Sequence, residues 1–477
     1  MLEQGDKFGE WFDKILKEAE IYDYGRYPVK GVGIWMPYGF SIRKNTLEIV
    51  RNELDSTGHE EVLFPMLIPE DLLVKEEEHI KGFRDEVYWV THGGLEELDV
   101  KLALRPTSET SISYMESLWL NSYKQLPKKY YQIVSIFRYE TKSTRPLLRL
   151  REVTTFKEAH TAHDSFEDAD RQVLEAVNIY SKIFDHLGIP YFISKRPDFD
   201  KFAGALYTIA FDTIFPDGRV LQIGTVHHLG QSFSKPIDVK VMLKDESIDY
   251  VWQTSYGISD RLIASIIAVH GDERGAILPF KIAPIQVVIV PIYFNEEEKE
   301  KILSYVKSVK EQLEACGFRV KIDDREEMTP GKKFYDWEMK GVPVRAELGK
   351  RELEGNTVLL ARRDLKKKTV VKFSDICTEI NELGEDIDRN LKDRAWQKMN
   401  VRIRKNLKLE ESAEYEKRGG VVEIPWCGRD ECALKAQEKA GLKALGSPLE
   451  PPAWIKDSSC PICGRPAVTS LRLAKTY

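Results

Sequence analysis

Leu262, Ile263, Ala264, Ile266, Ile267, Ala268 and Val269 form a run that, wound as a helix, is apolar on nearly every side, so it belongs inside the protein. Ser259-Asp260-Arg261 stands at its head. An arginine in a first turn opposes the helix dipole, and an anion placed there gains from the guanidinium and from the backbone amides that the helix leaves unbonded. The chain must therefore wrap other layers around this helix and bring a charged group to the place where they meet.

A second arginine has similar surroundings. Ser135-Ile136-Phe137-Arg138-Tyr139-Glu140 reads as a strand whose two-residue period puts Arg138 and Glu140 on one face. A guanidinium on an interior strand needs an anion. A phosphate would satisfy it, and so would an ion pair at the strand end. Two such arginines in one chain favour a nucleotide.

At 477 residues the chain exceeds what one hydrophobic core organises, and two or three domains are expected. The first covers 1–283. It carries a helix at Ser41 to Ser56 closed by Gly58, a strand from Glu61 to Pro65, strands at Val87 to Val90, Tyr131 to Arg138, Leu206 to Phe211 and Val220 to Gly224, and helices near Ser108 to Ser122 and Asp168 to Leu187. This mixture reads as α+β. The second domain, 284–384, opens with the apolar strand Ile285 to Ile292 and a helix capped by Asn295 that runs to Cys316. Strand Phe318 to Ile322, helix Lys332 to Lys340 ended by Gly341, and strands Val344 to Leu348 and Thr357 to Ala361 complete a compact α/β unit. A charged helical stretch from Ser374 to Leu409 supplies a connector, assigned as 385–409, and 410–477 forms a cysteine-rich terminal domain. No Gly-x-x-x-x-Gly-Lys-Ser/Thr loop is present; Gly349-Lys350-Arg351 lacks both its spacing and its hydroxyl.

Apolar residues make up 42% and charged residues 31%, as in folded soluble proteins, and no apolar run is long enough to cross a bilayer. Met1 to Glu20 interleaves Phe8, Trp11, Phe12, Ile15 and Leu16 with charges, an amphipathic helix rather than a leader, so a cytoplasmic protein is expected. With a net charge of −6, any nucleic-acid partner has to be met by a local basic patch.

Of the six cysteines, Cys427, Cys432, Cys460 and Cys463 cluster near the end as two short chelating turns, Cys427-Gly428-Arg429-Asp430-Glu431-Cys432 and Cys460-Pro461-Ile462-Cys463-Gly464. Four thiolates suit a tetrahedral, structural zinc ion with no open position; disulfides are the alternative. Cys316 and Cys377 sit singly in helical patterns and are expected to be buried, inert thiols.

In order, these segments resemble the three motifs of class II aminoacyl-tRNA synthetases. The helix Ser41 to Ser56 with the strand ending at Pro65 is similar to motif one, which builds a dimer in that family, so a homodimer is expected. Phe137 to Glu140 with Arg149-Leu150-Arg151-Glu152 is similar to motif two, and Gly257 to Arg261 to motif three. The resemblance implies an antiparallel-sheet catalytic domain in which Arg138 and Arg261 are catalytic and hold the α- and γ-phosphates of a bent ATP. It also places Glu140, Arg149, Gln222, Thr225 and Ser259 against ATP, with Mg2+ accompanying the phosphates.

Leu104-Arg105-Pro106-Thr107-Ser108-Glu109-Thr110, His160-Thr161-Ala162-His163, Lys201-Phe202-Ala203-Gly204 and Gly224 to Gln231 resemble prolyl-tRNA synthetases of the archaeal and eukaryotic-like type, which carry a C-terminal zinc domain and no inserted editing domain. The resemblance implies that Thr107, Glu109, Arg138, Phe156, Glu158, His160, Phe202, Thr225 and His227 receive L-proline. A carboxylate and a hydroxyl suit an ammonium with two donors and one charge, although Pro106-Thr107-Ser108-Glu109 also reads as an ordinary helix start and the histidines as structural hydrogen-bonders. The family often shows Arg-Glu-Phe-Leu-Trp-Gln-Glu-Gly-His, whereas Arg151 to His160 loses an aromatic and gains a residue, with Phe156 standing for the tryptophan. Residues 284–384 resemble the class IIa anticodon-binding module, which makes Glu338, Arg345 and Glu347 candidates for contact with tRNA(Pro), surface ion pairing being the alternative. A pocket discriminates by only about 1–3 kcal/mol per methylene, so activation of some alanine or cysteine is expected, and the stretch between His160 and Gly257 leaves little room for the insert that would edit it. In certain relatives a final tyrosine docks toward the active site, a role open to Tyr477. Rival readings are a class IIa ligase for threonine, glycine or histidine, and a catalytically silent paralogue.

Overall fold

The structure, a computed structural model, describes residues 5–75 and 86–477. Helix α1 (Gly5–Glu18) lays Phe8, Trp11, Phe12, Ile15 and Leu16 on the core, and Trp11 Nε1 donates to the carbonyl of Asp272 at 2.8 Å. Residues 1–4 of the expected helix lie outside the described residues. Helix α2 (Pro37–Asp55) starts earlier than read from sequence because Pro37, which has no amide proton to satisfy, occupies its first turn. The strand expected after it shortens to β1 (Glu60–Glu61), since the amide of Phe64 bonds to the side chain of Gln132 at 2.9 Å and leaves the ladder.

Helix α3 (Glu109–Trp119) follows, then strands β2 (Lys128–Phe137) and β3 (Glu152–His163), helix α4 (Phe166–His186), and strands β4 (Phe192–Lys195), β5 (Tyr207–Ile214), β6 (Val220–Gly230) and β7 (Trp252–Ile258). Among the described residues these strands make one seven-stranded sheet in the order β1-β2-β3-β7-β6-β5-β4, antiparallel except at β1–β2. The apolar helix expected after Asp260 is α5 (Arg261–His270), buried from Leu262 onward. It packs with α1, α2 and α4 on one face of the sheet, where Ile42, Val50, Ile183, Phe211 and Ile267 share a single core.

The two central strands β3 and β7 have no place in the sequence-based element list, and β3 shows why. It buries Lys157 completely, against any strand pattern. That ammonium donates to the Tyr180 hydroxyl at 2.7 Å and to the Tyr256 carbonyl at 3.2 Å, and lies within 5 Å of both ring centroids (4.6 and 4.7 Å). Partners on α4 and β7 make the position tenable, and neither is local.

Beyond residue 283 a second sheet of β8 (Val287–Pro291), β9 (Val320–Ile322), β10 (Val344–Leu348), β11 (Thr357–Arg362) and β12 (Lys368–Lys372) has the order β9-β8-β10-β11-β12. Helix α6 (Glu296–Ala315) is capped by the Asn295 side chain, which accepts from the Glu298 amide at 2.9 Å, and α7 (Pro330–Lys340) ends at Gly341 with φ 74°. Helix α8 (Ile376–Asn400) does more than connect: Ile376, Ile380, Ile387 and Leu391 belong to the core of this second sheet. It stops at Asn400, short of the expected Leu409, because Ile403–Lys405 (β13) pairs in parallel with β14 (Val421–Trp426). Helix α9 (Asp430–Ala440), β15 (Lys443–Gly446) and β16 (Thr469–Ala474) complete the terminal part, with strand order β13-β14-β16-β15.

One expectation is overturned. Cys316 and Cys377 are not separate thiols but a disulfide that ties the end of α6 to the start of α8 across 61 residues. Each cysteine is solitary in its own helical pattern, and only the meeting of two helix ends brings their Cα atoms to 6.3 Å. Cys316→Ser is expected to lower unfolding free energy by about 2–4 kcal/mol, read by denaturant titration. Alkylation of the unfolded, unreduced and chelator-treated chain should label Cys427, Cys432, Cys460 and Cys463 and spare Cys316 and Cys377.

Candidate active site

Three neighbouring strands, β3, β7 and β6, make the floor of the site. Their register sets Glu158 beside Gly257 and Gly257 beside Thr225; the next row is His160, Ser255 and His227. Directly paired residues project to the same face of a sheet, so each row presents its side chains together. Gly257 leaves the middle of its row low, and a Cβ there would stand 3.3 Å from the Phe156 ring. Over this floor opens a cavity of about 350 Å³, walled by Thr107, Glu109, Arg138, Glu140, Arg149, Phe156, Glu158, Phe202, Gln222, Thr225, His227, Ser259 and Arg261 among others.

One end is acidic and shaped. Glu158 accepts from the Ser108 hydroxyl at 2.5 Å, the Ser108 amide at 3.2 Å and Gln132 Nε2 at 2.9 Å. Burial pushes its carboxyl up, and hydrogen bonds from His160, Ser108 and Gln132 outweigh that and leave it below the ordinary value. Thr107 donates its hydroxyl to Glu109, which is buried at the first residue of α3. Ser108 stands at the cap position of that helix without capping it, its hydroxyl being engaged by Glu158. Two carboxylates and a hydroxyl thus converge where a small ammonium fits.

The ring side of this end is apolar and neutral. The Phe202 ring lies 4.7 Å from that of His227. Thr208 orders both residues: its hydroxyl accepts from the Phe202 amide at 3.0 Å and sits 2.9 Å from His227 Nδ1. Burial, then the charge of His160, push His227 down to about 3, so it is neutral near pH 7. His160 behaves oppositely. Burial would lower it, but the hydrogen bond to Glu158 and the charges of Glu109, Glu158 and Glu116 prevail and raise it. It stands behind Glu158, 3.4 Å away, and does not line the cavity.

The other end is basic. Arg261 Nε donates to the Leu148 carbonyl at 2.9 Å and Nη1 to the Gln222 carbonyl at 3.0 Å. Burial, then repulsion from Arg149 and Arg138, pull its guanidinium down to about 10, a sign that the three cations crowd one space. Arg138 Nε donates to the Pro106 carbonyl at 3.2 Å, and its guanidinium lies 5.8 Å from the Phe156 ring centre. Glu140 stands 4.0 Å from Arg149. Carbonyl oxygens orient Arg261 without neutralising it, so this end favours a polyanion.

Gln132, Thr208 and Ser255 escape sequence reasoning because their parts depend on strand register, while Ser108 and Gly257, present in the motif segments, receive their parts here only from the residues packed against them. Tyr477 lies near the floor's outer edge: its hydroxyl donates to Asp217 Oδ2 at 2.7 Å, its amide to the Val220 carbonyl at 3.2 Å, and its ring packs 5.3 Å from Phe215.

A second cavity of about 310 Å³ on the 287–372 sheet is lined by Arg274, Glu338, Arg345, Arg362, Arg363, Lys366 and Lys368 among others, a local basic patch on an acidic chain. Arg345 is held by Glu347 at 2.9 Å and Glu338 at 3.3 Å and stacks 3.9 Å from Phe334. Glu347 sits behind Arg345 and off the wall. In the terminal part the sulfurs of Cys427, Cys432, Cys460 and Cys463 lie within 4.8 Å of one another, and Cys463 and Cys427 are 3.6 Å apart. Tetrahedral zinc with Zn–S near 2.3 Å sets sulfurs about 3.8 Å apart, so the cluster is compatible with that ion.

Comparison with known proteins adds the family. Residues 88–270 match the tRNA synthetase class II core domain (G, H, P, S and T), 286–383 the anticodon binding domain, and 409–477 the prolyl-tRNA synthetase C-terminal domain. The chain is 61% identical to a proline–tRNA ligase of Aeropyrum pernix, over 98% of this chain and 97% of the relative. It is 60% identical to that of Ignicoccus hospitalis over the whole of both. A solved structure, Giardia lamblia prolyl-tRNA synthetase in complex with prolyl-adenylate, is similar with a TM-score of 0.96 and 35% identity, over 100% of this chain and 99% of that one. With its antiparallel sheet, its basic and acidic cavity ends and these matches together, the chain belongs to the class II prolyl-tRNA synthetases, the proline–tRNA ligases.

Proposed function

We propose that the 350 Å³ cavity makes a prolyl-adenylate from L-proline and ATP and then passes the prolyl group to tRNA(Pro). The observation that carries this reading is the charge division of one cavity, with Glu109 and Glu158 at one end and Arg138, Arg149 and Arg261 at the other. Proline's ammonium meets Glu109, Thr107 and Glu158, and its ring lies against Phe156, Phe202 and neutral His227. Thr225 stands between the two ends. The triphosphate meets Arg138 and Arg261, with Glu140, Arg149, Gln222 and Ser259 around the rest of ATP. Mg2+ would neutralise phosphate oxygens and be held mainly by them.

No side-chain nucleophile is required. A proline carboxylate oxygen attacks the α-phosphorus, the bond from that phosphorus to the bridging oxygen breaks, and pyrophosphate leaves. A hydroxyl of the terminal adenosine of tRNA then attacks the carbonyl carbon of the mixed anhydride, and AMP leaves. Catalysis lies in positioning and in stabilising the charge that builds on phosphate oxygens. The Giardia relative was solved with a prolyl-adenylate, and its 35% identity over the full chain supports the same intermediate here.

The proposed units centre on the separate cores of the two large sheets and the terminal sheet, with Ile387 and Leu391 of α8 carrying the second core past 384 and Ile277 and Phe280 carrying it before 284. The basic cavity with Arg345 and Glu338 is the proposed anticodon contact, Glu347 acting by holding Arg345. A homodimer is supported by the apolar residues left exposed after β1, where Leu63 is 81% exposed and Met66 and Leu67 are exposed near it in sequence. Zinc would be held by the four thiolates and would tie β14 and α9 to the loop carrying Cys460 and Cys463. Among the described residues no helix is long and apolar enough to cross a membrane, and a cytoplasmic setting accords with the translation role.

Arg138→Ala is expected to lose about 3 kcal/mol of transition-state stabilisation, roughly a hundredfold in proline-dependent pyrophosphate exchange into ATP. Near-normal exchange would remove Arg138 from the chemistry, and the same assay run across the amino acids decides the substrate. Alanine, two ring carbons smaller, is discriminated by only about 1–3 kcal/mol per methylene, so weak alanine- and cysteine-dependent exchange is expected. Alanyl-tRNA(Pro) should persist when incubated with this chain, and rapid hydrolysis would refute the absence of editing. Elemental analysis should find zinc near one equivalent, lost in Cys460→Ser; a protein that is folded and zinc-free would overturn that site.

A further inference from the structure

A buried arginine outside the cavity joins the terminal sheet to the ATP end of the site. Arg196, 5% exposed, follows strand β4. Its Nη1 donates to the carbonyl of Leu445 in β15 at 2.7 Å, while Nη2 donates to Asp212 Oδ1 at 2.8 Å and to Gln222 Oε1 at 3.0 Å. Gln222 lines the cavity, and its own backbone carbonyl accepts from Arg261 at 3.0 Å.

The chemistry of this contact has a direction. A guanidinium has donors and no acceptor, so only the oxygen of the Gln222 amide can face it. The NH2 group of Gln222 is thereby turned the other way, as a donor, which suits the acceptor-rich base and ribose of ATP. Three acceptors from three elements around one planar fork are a task for arginine that a lysine ammonium cannot repeat.

The seam that carries Arg196 is tight. Lys195 and Ser447 exchange backbone hydrogen bonds at 2.8 and 3.0 Å, and a Cβ on Gly446, whose φ is 94°, would lie 1.9 Å from the Lys195 carbonyl oxygen. Beside it Lys443 pairs with Asp200 at 2.9 Å.

We propose that Arg196 is a positioning residue for ATP: anchored by the Leu445 carbonyl, it sets the amide of Gln222, and so makes ATP binding depend on the docking of the terminal sheet. This rests on the reading of the cavity as an ATP site.

The test uses the full chain and proline-dependent pyrophosphate exchange. Arg196→Met combined with Asp212→Asn removes the guanidinium without leaving a buried carboxylate unpaired, and Asp212→Asn alone is the control. The pair should raise the KM for ATP about tenfold, with the KM for proline within about twofold and the control near the parent. Adding Gln222→Ala to the pair should cost no more than Gln222→Ala alone, since both act through one amide. Gly446→Ala, which forces β15 away from Lys195, should give the same ATP-selective defect. If the paired variant does not fold by thermal melting, Arg196→Lys carries the test, with the ATP KM raised and the proline KM kept.

Equal shifts in both KM values, or losses that multiply when Gln222→Ala is added, would overturn the proposal. An ATP KM raised by Gln222→Ala but untouched by the Arg196 variants removes the proposal and leaves the ATP site standing. An ATP KM unmoved by Gln222→Ala removes both.

Discussion

The placing of β7 between β3 and β6 is the contact on which the site depends. Register there turns three stretches separated by tens of residues into two rows, Glu158–Gly257–Thr225 and His160–Ser255–His227. A one-residue slip of β7 would turn its side chains to the opposite face, putting the Tyr256 phenol in the cavity and taking Gly257 out of the middle of its row. The fixed ladder is held from behind: Lys157, entirely buried, reaches across to Tyr180 on α4 and to the backbone of β7. A buried ammonium without such partners would cost several kcal/mol, so the network that keeps Lys157 also discourages other registers.

Charge in the cavity is arranged by what stands behind each group. Glu158 is held below the ordinary carboxylate value by His160 first and then by the donors Ser108 and Gln132. His160 is shifted up because its bond to Glu158 and the surrounding acids outweigh burial, while His227, a row-mate two strands away, is kept neutral by burial and by His160 itself. Arg261 at the far end is oriented by two carbonyl oxygens, which position its guanidinium without neutralising it. The same pattern, guanidinium against carbonyl, recurs at Arg196 and Leu445, where it joins separate parts of the chain instead of binding a ligand.

Much of this was readable from residue order. The buried helix headed by Arg261 follows from apolar residues with no polar face, and the Asn295 cap and Gly341 stop of the second domain follow from local backbone chemistry. The paired chelating turns led to the sulfur cluster for the same reason, since each turn is local. Where the reading failed, the cause was contact over distance. Strand β3 was hidden by its charged residues, which find partners only in the fold, and the disulfide by a sequence separation of 61. Helix α8 was overextended because the pairing that ends it lies in a strand some twenty residues further on.

The amino-acid order alone determined the chemistry available: two arginines in strand-end and helix-head settings, a Thr-x-Glu segment, isolated histidines, four clustered thiols. Spacing within a helix or turn is encoded over a few residues, so these features could be recognised without a fold. The tertiary structure decided which of them face one space. It put His160 behind Glu158 and not on the wall, made Glu347 a support for Arg345, and set the Gln222 amide by an arginine held from the terminal sheet. Side-chain direction in a sheet depends on register with strands far away in sequence, and a residue's charge depends on neighbours that only packing supplies.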